Sequence, residues 1–207
     1  MTELYVFRRE EPLSPEWAEL LPSWRLERFS GRRNEAARQE SLTAGLLWAF
    51  AMKKHGRETG SVMLLPAGKP ILADGSLWFS LSHSGVYALC ALSDAPVGCD
   101  VQLPRPVKLS VARRFCKAEQ EWLLSLPEKE QLTALLRLWT RKEAWVKAAS
   151  RDRVLGLDEY DVRTGDEWFF RDLTLPEDIP AALCGREALP DEFVLVTREE
   201  LLSGLGK

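Results

Sequence analysis

The chain has 207 residues, of which 45% are apolar, so it has ample material for a hydrophobic core and lies between one and two domains by length. With 31 acidic and 28 basic residues its formal net charge is −3, and it lacks the strong positive field of a typical duplex-binding protein. We therefore expect no nucleic-acid partner.

The sequence also disfavours membrane insertion, export and a zinc–thiolate site. No apolar run approaches the ~18 residues of a membrane span, and residues 8–11 of the amino-terminal segment are charged, unlike a signal peptide. Four cysteines contain no C-x-x-C pair, and only two histidines are present. We expect buried, reduced thiols in a cytoplasmic protein.

In chain order, the first hundred residues predict one strand, a helix start, one long helix and four short strands. Residues 4–7 read as a strand, and Ser14 before Pro15 is a helix start. Asn34 caps a helix running to about His55, with apolar residues near helical spacing. Strands bounded by Gly, Pro, Asp or Ser follow at 62–65, 77–82, 86–92 and 97–102.

Prolines at 104 and 106 interrupt regular structure, because each removes a backbone donor and holds the chain extended, and they place a boundary after Leu103. Beyond it the pattern predicts three helices and then three strands, at 110–115, 117–126, 128–150, 160–163, 167–172 and 193–197. Each half thus carries one long helix and several strands, an α+β arrangement without a visible residue-level repeat.

Charge is distributed unevenly along the chain. Residues 103–147 carry ten bases and five acids, a net of +5, whereas residues 152–207 carry six bases and fourteen acids, a net of −8. The basic middle segment either meets an anionic ligand or partner, or is a solvated helix face.

The strand at 97–102 is the first candidate site. Alternation puts Asp100 and Gln102 on one face and the apolar residues on the other. Adjacent carboxylate and amide oxygens suit a hard cation such as Mg²⁺. An Asp at a strand end also serves as a turn former or cap, so this pattern alone leaves both interpretations open.

The helix at 128–150 carries the second candidate. At 100° per residue, Glu143 continues the apolar stripe of Leu132, Leu136 and Trp139, so its carboxylate projects from the face expected to be buried, and Lys147 follows one turn later. A buried carboxylate requires a cation or metal partner. Glu143 is therefore either a functional carboxylate or half of an ordinary surface Glu–Lys pair.

The segment FSLSHSG at 79–85 is the third candidate. Three serines alternate with apolar residues, and His83 stands at the strand end before Gly85. Hydroxyls and an imidazole there can hold a phosphate or cap a hairpin. A Ser–His nucleophile pair is disfavoured, because neighbouring strand side chains point to opposite faces and no G-x-S-x-G elbow is present.

Taken in order, four motifs between about residues 25 and 147 resemble the signatures of the 4'-phosphopantetheinyl transferases, in particular the surfactin-synthetase-activating type with two halves in one chain. They are GKP at 68–70, SHSG at 82–85, VGCD at 97–100 and WTRKEA at 139–144 followed by Lys147. The specific part is the pairing of G-x-D with W-x-x-K-E-A-x-x-K at this separation.

The resemblance implies a pseudo-dimer of two similar α+β halves, 1–103 and 104–207, each with a long helix packed on a small antiparallel sheet and with the active site in the cleft between them. It implies Mg²⁺-dependent transfer of the 4'-phosphopantetheine arm of coenzyme A, the co-substrate, to a serine of an acyl or peptidyl carrier protein. Adenosine 3',5'-bisphosphate is the other product. We expect a monomer.

The resemblance also assigns residue roles. Asp100 and Glu143 would bind Mg²⁺ with Gln102 as a weaker third ligand, Glu143 would help to remove the serine proton, and Lys147 would contact the diphosphate. The amino-terminal half would supply the remaining coenzyme A contacts: Arg25 and Arg28 near the 3'-phosphate, Gly68, Lys69 and Pro70 beside the adenine, and the phosphate-binding pair Ser82 and His83.

Three positions depart from the family pattern. Gln102 stands where many relatives have a second acid, Ser80 replaces a frequent asparagine, and no glycine-rich segment follows Lys147. Gln102 keeps open the alternative of a non-catalytic module that binds coenzyme A or a nucleotide, and a plain interaction domain is a third interpretation. Because carrier proteins are acidic around their modified serine, we expect the docking surface near Arg113, Arg114 and Lys117.

Overall fold

Nine strands form three sheets in the part of the chain that the structure, a computed structural model, describes: residues 1–57, 61–104, 107–164 and 166–207. The strands of the first sheet are β1 (Thr2–Arg8), β4 (Trp78–Ser84), β5 (Tyr87–Ser93) and β9 (Val194–Val196). Their order is β4-β5-β1-β9. All neighbours are antiparallel except β1 and β9, so the last strand of the chain returns to the first.

The second sheet is antiparallel and has the order β6-β8-β7. Its strands are β6 (Val97–Val101), β7 (Phe169–Leu175) and β8 (Ile179–Gly185). Two further strands, β2 (Val62–Leu64) and β3 (Pro70–Leu72), form a separate hairpin.

Five α-helices accompany the sheets in the described residues: α1 (Ser23–Ser30), α2 (Glu35–Lys54), α3 (Lys117–Ser125), α4 (Glu128–Ala149) and α5 (Arg198–Leu205). Short 3-10 helices lie at Pro15–Leu20, Leu109–Arg114 and Pro176–Asp178. The Asn34 side chain accepts a hydrogen bond from the Ala37 amide, which confirms it as the cap of α2. Among the helices described, none has the length and apolar character needed to cross a bilayer.

The strand alternation builds a layered core. On β1, Tyr5 and Phe7 face the apolar side of α2, whereas Leu4 and Val6 face the second sheet. The other side of the second sheet packs on α4, whose Trp145 lies in that cluster. The molecule is therefore a mixed α+β structure with small, mainly antiparallel sheets, as the sequence predicts.

The strand predicted at 160–163 is wrong. The Asp161 carboxylate accepts hydrogen bonds from the Arg163 backbone amide and guanidinium, and the Asp161 carbonyl accepts from the Thr164 amide. Such local bonds compete with strand pairing and close a turn instead.

The prediction missed the central strand of the second sheet. β8 is buried along its whole length, so it shows no alternation of polar and apolar residues. Pro180 near its start also argues against a strand. Helices α1 and α5 and the short β3 were not predicted as elements either.

The domain division after Leu103 stays a prediction. Arg105 and Pro106, on which it partly rests, lie outside the described residues. β6, from before the division, pairs with β8 from beyond it.

Candidate active site

A cavity of about 270 Å³ opens between α1, the turn of the β2–β3 hairpin, β4 and α4. Its lining includes seven of the ten residues predicted to contact coenzyme A: Arg25, Arg28, Gly68, Lys69, Pro70, His83 and Lys147. The other three are Ser82, Asp100 and Glu143. Ser82 and Lys147 both donate to the Asp100 carboxylate, so the carboxylate adjoins this cavity.

Larger cavities exist elsewhere but contain none of those ten residues. One of about 670 Å³ lies between α3, α4 and β7, and another of about 480 Å³ lies beside β1 and β9. Because volume alone carries no chemistry, we assign the site to the smaller cavity, where cations and carboxylates converge.

The α1 wall of the cavity is basic. Arg25 and Arg28 of α1, at spacing i, i+3, line the cavity together with Arg32, which follows the end of the helix. Within the described residues none of them forms an ion pair, so the wall suits an anionic ligand. Arg32 was not among the predicted site residues, although the run of arginines at 25–33 could have revealed it.

Arg25 is the anchored member of this wall. It is 4% exposed, and its Nη2 donates to the Ser41 carbonyl at 2.6 Å. Burial, together with the charges of Arg28 and Arg32, lowers the pKa of Arg25 to about 10. Its Nε is buried without a hydrogen-bond partner among the described residues and lies against Gly45 of α2, where a Cβ atom would come within 3.2 Å of it.

The hairpin turn forms the opposite wall. Gly68 has φ +80°, a left-handed conformation that favours glycine, and its amide donates to the Leu65 carbonyl. Lys69 Nζ donates to the Val97 carbonyl at 3.1 Å and lies 5.3 Å from the centre of the Trp78 ring. Burial lowers the pKa of Lys69 to about 8. Lys69 thereby ties the hairpin to the start of β6.

His83 lies beside a charged residue that the sequence did not single out. Its Nδ1 lies 3.4 Å from one carboxylate oxygen of Glu40 on α2, and the other Glu40 oxygen accepts from the Gly85 amide at 2.8 Å. Burial lowers the pKa of His83, and Glu40 acts in the opposite direction. Glu40 thus fixes the turn that follows β4 and lies beside the imidazole, whose Nδ1 makes no hydrogen bond among the described residues.

The two predicted carboxylates come from different elements and act on each other. Asp100 on β6 accepts hydrogen bonds from Ser82 Oγ at 2.8 Å and from Lys147 Nζ at 2.7 Å, both at Oδ1. Glu143 on α4 is half-buried, and burial, then the charge of Asp100, raise its pKa, while Lys147 and Arg114 lower it. Two repelling carboxylates beside a polar cavity are a donor set that fits a hard divalent cation.

Gln102 is less well placed as a third ligand. Within the described residues it makes no hydrogen bond to Asp100 or Glu143, and its Nε2 donates to the Leu103 carbonyl at 3.1 Å. It also lines a separate cavity of about 50 Å³, whose other lining residues are apolar, among them Leu136 and Trp139. Its role as a ligand stays a prediction.

The predicted buried stripe of α4 is only partly correct. Leu136 is buried as expected, but Leu132 is 44% exposed, and the charged residue at the centre of the buried face is Lys142. Lys142 and Glu119 of α3 form a fully buried ion pair at 2.5 Å. Lys142 also donates to the Tyr160 carbonyl, and Glu119 accepts from the Val162 and Cys116 amides.

This ion pair explains a nearby cluster of possible metal ligands, Cys116, Glu119 and Asp161. Its carboxylates already have cationic partners, Lys142 for Glu119 and Arg163 for Asp161. The cluster is therefore a structural joint between α3, α4 and the turn at 160–164. All four cysteines of the chain are free, and Cys116 is the only one that is not fully buried.

The three serines of β4 bind the neighbouring strand. The hydroxyl oxygens of Ser80, Ser82 and Ser84 accept hydrogen bonds from the backbone amides of Cys99, Val101 and Leu103, at 3.1, 3.3 and 3.0 Å. We call this set the serine ladder. The sequence left two roles open for these hydroxyls, contact with a phosphate and capping of a hairpin. The bonds observed are of a third kind, from the backbone amides of a neighbouring strand to the hydroxyl oxygens.

The predicted docking residues lie together, where the 3-10 helix Leu109–Arg114 ends and α3 begins. Arg113, Arg114 and Lys117 line one open depression of about 540 Å³, which also includes residues 156–158. Arg114 lies 5.7 Å from the centre of the Trp139 ring, and its charge lowers the pKa of Glu143. Arg114 therefore links this basic depression electrostatically to Glu143.

Comparison with known proteins agrees with these features. Residues 96–197 match a family model described as the 4'-phosphopantetheinyl transferase superfamily. The chain is 28% identical over 151 residues to the 4'-phosphopantetheinyl transferase Sfp of Bacillus subtilis, which covers 65% of this chain and 67% of the relative. It is 31% identical over 167 residues to a Synechocystis protein assigned to the same transferases, slr0495, covering 76% and 68%. The transferase HetI of Nostoc is 40% identical over 103 residues, covering 46% and 43%.

Proposed function

Because the chain belongs to the 4'-phosphopantetheinyl transferase superfamily and is an enzyme of its Sfp-like type, we propose that it transfers the 4'-phosphopantetheine arm of coenzyme A to a serine of an acyl or peptidyl carrier protein. Adenosine 3',5'-bisphosphate is the second product. The observation that carries this proposal is the convergence of a basic cavity with the carboxylates of Asp100 and Glu143.

Coenzyme A occupies the cavity between α1 and the hairpin turn in this proposal. Arg25 and Arg28 bind the 3'-phosphate, the turn at 68–70 lies beside the adenine, and His83 and Lys147 serve the remaining phosphates. The predicted phosphate contact of Ser82 is not part of the proposal, because its one hydroxyl proton is donated to Asp100. What supports this is the absence of ion pairs for the α1 arginines among the described residues, because unpaired cations beside a cavity favour phosphate groups.

Asp100 and Glu143 are the residues that would hold Mg²⁺, with Gln102 or a water molecule completing the set. When bound, the ion would offset the charge that develops on the diphosphate during transfer. The chain's own contribution is orientation: Ser82 and Lys147 both hold Oδ1 of Asp100. Burial is the largest single influence on the pKa of Lys147 and acts to lower it. The charge and hydrogen bond of Asp100, together with Cys99 and Glu143, outweigh burial and raise the pKa, so Lys147 stays a cation.

Glu143 accepts the proton of the carrier serine in this mechanism, directly or through one water. The serine oxygen forms a bond to the phosphorus that carries the pantetheine arm. The bond from that phosphorus to the bridging oxygen breaks, and its electron pair leaves with adenosine 3',5'-bisphosphate. The raised pKa of Glu143 supports this role, because a more basic carboxylate is a better proton acceptor.

We also propose that the chain is a pseudo-dimer, in which two similar halves meet at a cleft. α2 packs on the first sheet and α4 on the second, so each half, 1–103 and 104–207, contributes one long helix. Such a pseudo-dimer supplies both walls of the cavity from one chain, and we propose a monomer that works in the cytoplasm. The carrier protein meets the basic patch of Arg113, Arg114 and Lys117 through an acidic surface.

The test is incubation of the protein with coenzyme A, MgCl₂ and an apo carrier protein, followed by mass spectrometry of the carrier. We expect the carrier to gain the mass of one phosphopantetheine group, and Glu143→Ala to abolish the gain while the circular dichroism spectrum stays native. Binding of coenzyme A without transfer would favour the non-catalytic module that Gln102 keeps open. A panel of apo carrier proteins identifies the pathway served.

A further inference from the structure

β6 is an edge strand whose free side is buried. On one side it pairs with β8, to which the Gln102 amide just beyond the strand also donates. The alternate amides of Cys99, Val101 and Leu103 point away from β8, because successive amides of a strand face opposite sides. Cys99 and Val101 of β6 are buried, so their amides need acceptors within the protein, and the half-buried Leu103 continues the same alternation two residues beyond the strand.

The serine ladder supplies those acceptors. Side chains at i, i+2 and i+4 on β4 meet backbone amides at i, i+2 and i+4 on β6, so two strands from different sheets are joined through hydroxyl groups. The match depends on register. A shift of β6 by one residue would turn its amides away from β4 and break all three bonds.

The ladder also fixes the position of a site residue. Ser82, the middle member, donates to Asp100 Oδ1 while it accepts from the Val101 amide. Ser80 and Ser84 bind the strand on either side of Asp100. Of these two outer serines, Ser80 lines the cavity, whereas Ser84 is not among its lining residues.

We propose that Ser80 and Ser84 are positioning residues, which set the register of β6 against β4 and thereby hold Asp100 at the site, and that Ser84 does not act as a ligand of coenzyme A. The catalytic consequence rests on the proposed function. The structural consequence, protection of the β6 amides, does not.

Ser84 gives the sharper test because it lies outside the cavity. Ser84→Ala removes the acceptor of the Leu103 amide, and Ser84→Thr keeps a hydroxyl at this half-buried position. Ser93→Ala is a matched control. It removes a buried hydroxyl from β5 of the same sheet, where Ser93 bonds to Thr2 at 2.8 Å and accepts from the Ala95 amide at 3.2 Å, but makes no bond to β6.

Amide hydrogen exchange, measured by NMR without coenzyme A, reports directly on the hydrogen bonds of the serine ladder, because it measures how well each backbone amide is protected. We expect Ser84→Ala to accelerate exchange of the Leu103 amide by about tenfold or more beyond the change at β5 amides, and Ser84→Thr to restore protection. In the Ser93→Ala protein, exchange of the Leu103 amide should change only as much as the global stability of the protein does. Equal acceleration in the Ser84→Ala and Ser93→Ala proteins would overturn the proposal.

Kinetics and binding on the same proteins separate positioning from ligand contact. We expect Ser84→Ala to lower kcat by about tenfold, since a small displacement of a catalytic group has such effects, with the Kd of coenzyme A by calorimetry changed less than about twofold. Weaker coenzyme A binding with Leu103 still protected would make Ser84 a ligand contact and overturn the proposal. If neither the wild-type protein nor any variant transfers the phosphopantetheine arm, the proposed function is wrong. The exchange measurements still test whether Ser84 protects the Leu103 amide.

Discussion

Gly98 of β6 lies directly against the backbone of Ala144 on α4. A Cβ atom at Gly98 would lie 1.9 Å from the Ala144 carbonyl oxygen and 2.7 Å from the Ala148 amide nitrogen. The strand and the helix therefore touch backbone to backbone, which requires a residue without a side chain. Asp100 lies two residues beyond this contact and Glu143 immediately before Ala144, so the same contact sets the spacing of the two carboxylates.

Replacing Gly98 with Ala should separate β6 from α4. We expect a loss of about 1–3 kcal/mol in the free energy of unfolding from overpacking, and a decrease of about 100-fold in kcat because Asp100 and Glu143 move apart. Urea denaturation and steady-state kinetics measure the two effects. Gly31→Ala is the control, since a Cβ there would lie 3.5 Å from its nearest neighbour. Equal behaviour of the two variants would contradict this account of Gly98.

Glu143→Gln should stabilise the protein at neutral pH. Burial and the charge of Asp100 raise the pKa of Glu143, so the folded state binds a proton more tightly than the unfolded chain does. The stability that this tighter proton binding provides is present below the pKa of Glu143 in the unfolded chain, about 4.3, and is lost as the pH rises through the pKa of Glu143 in the folded protein. The stability gain of the variant should therefore grow across this pH range. Thermal denaturation at a series of pH values checks it, and a gain independent of pH would rule out this origin.

Lys142→Met should be among the most destabilising substitutions in the chain. It leaves the fully buried Glu119 carboxylate without its cation, and such changes cost about 3–5 kcal/mol. Denaturant titration measures the loss, and adding Glu119→Gln should recover part of it. The exposed ion pair of Lys117 and Glu121 on α3, the helix that carries Glu119, is the control. Lys117→Ala should change the free energy of unfolding by less than about 0.5 kcal/mol.

Charge reversal at Arg113 and Lys117 should weaken carrier docking. We expect the double change to Glu to raise the KM for an acidic carrier protein by about tenfold at low salt, with the KM for coenzyme A unchanged and the difference shrinking as salt screens the charges. Arg114 is left intact because its charge acts on Glu143. Reversal of the exposed Lys53 and Lys54 at the end of α2 is the matched control. An unchanged carrier KM in the Arg113/Lys117 variant would place the docking surface elsewhere.

Local signals were sufficient for much of the fold. The Asn34 cap and the apolar spacing after it predict α2, and short segments bounded by turn residues predict β4, β5 and β6. These signals act between neighbours in the chain. They fail for β8, which is buried on both faces and shows no alternation, and for the turn at 161–164, where an Asp side chain closes the backbone locally.

The sequence by itself determined the family, through motifs whose residue types and spacing are sufficient for recognition, and with it the candidates Asp100, Glu143 and Lys147. Only the tertiary structure decided what each polar group binds. It paired Lys142 with Glu119, directed the β4 serines to the amides of β6, and brought Glu40 to His83. The reason is physical: partners far apart in sequence are selected by burial, because a polar group removed from water must find whichever donor or acceptor the packing brings to it.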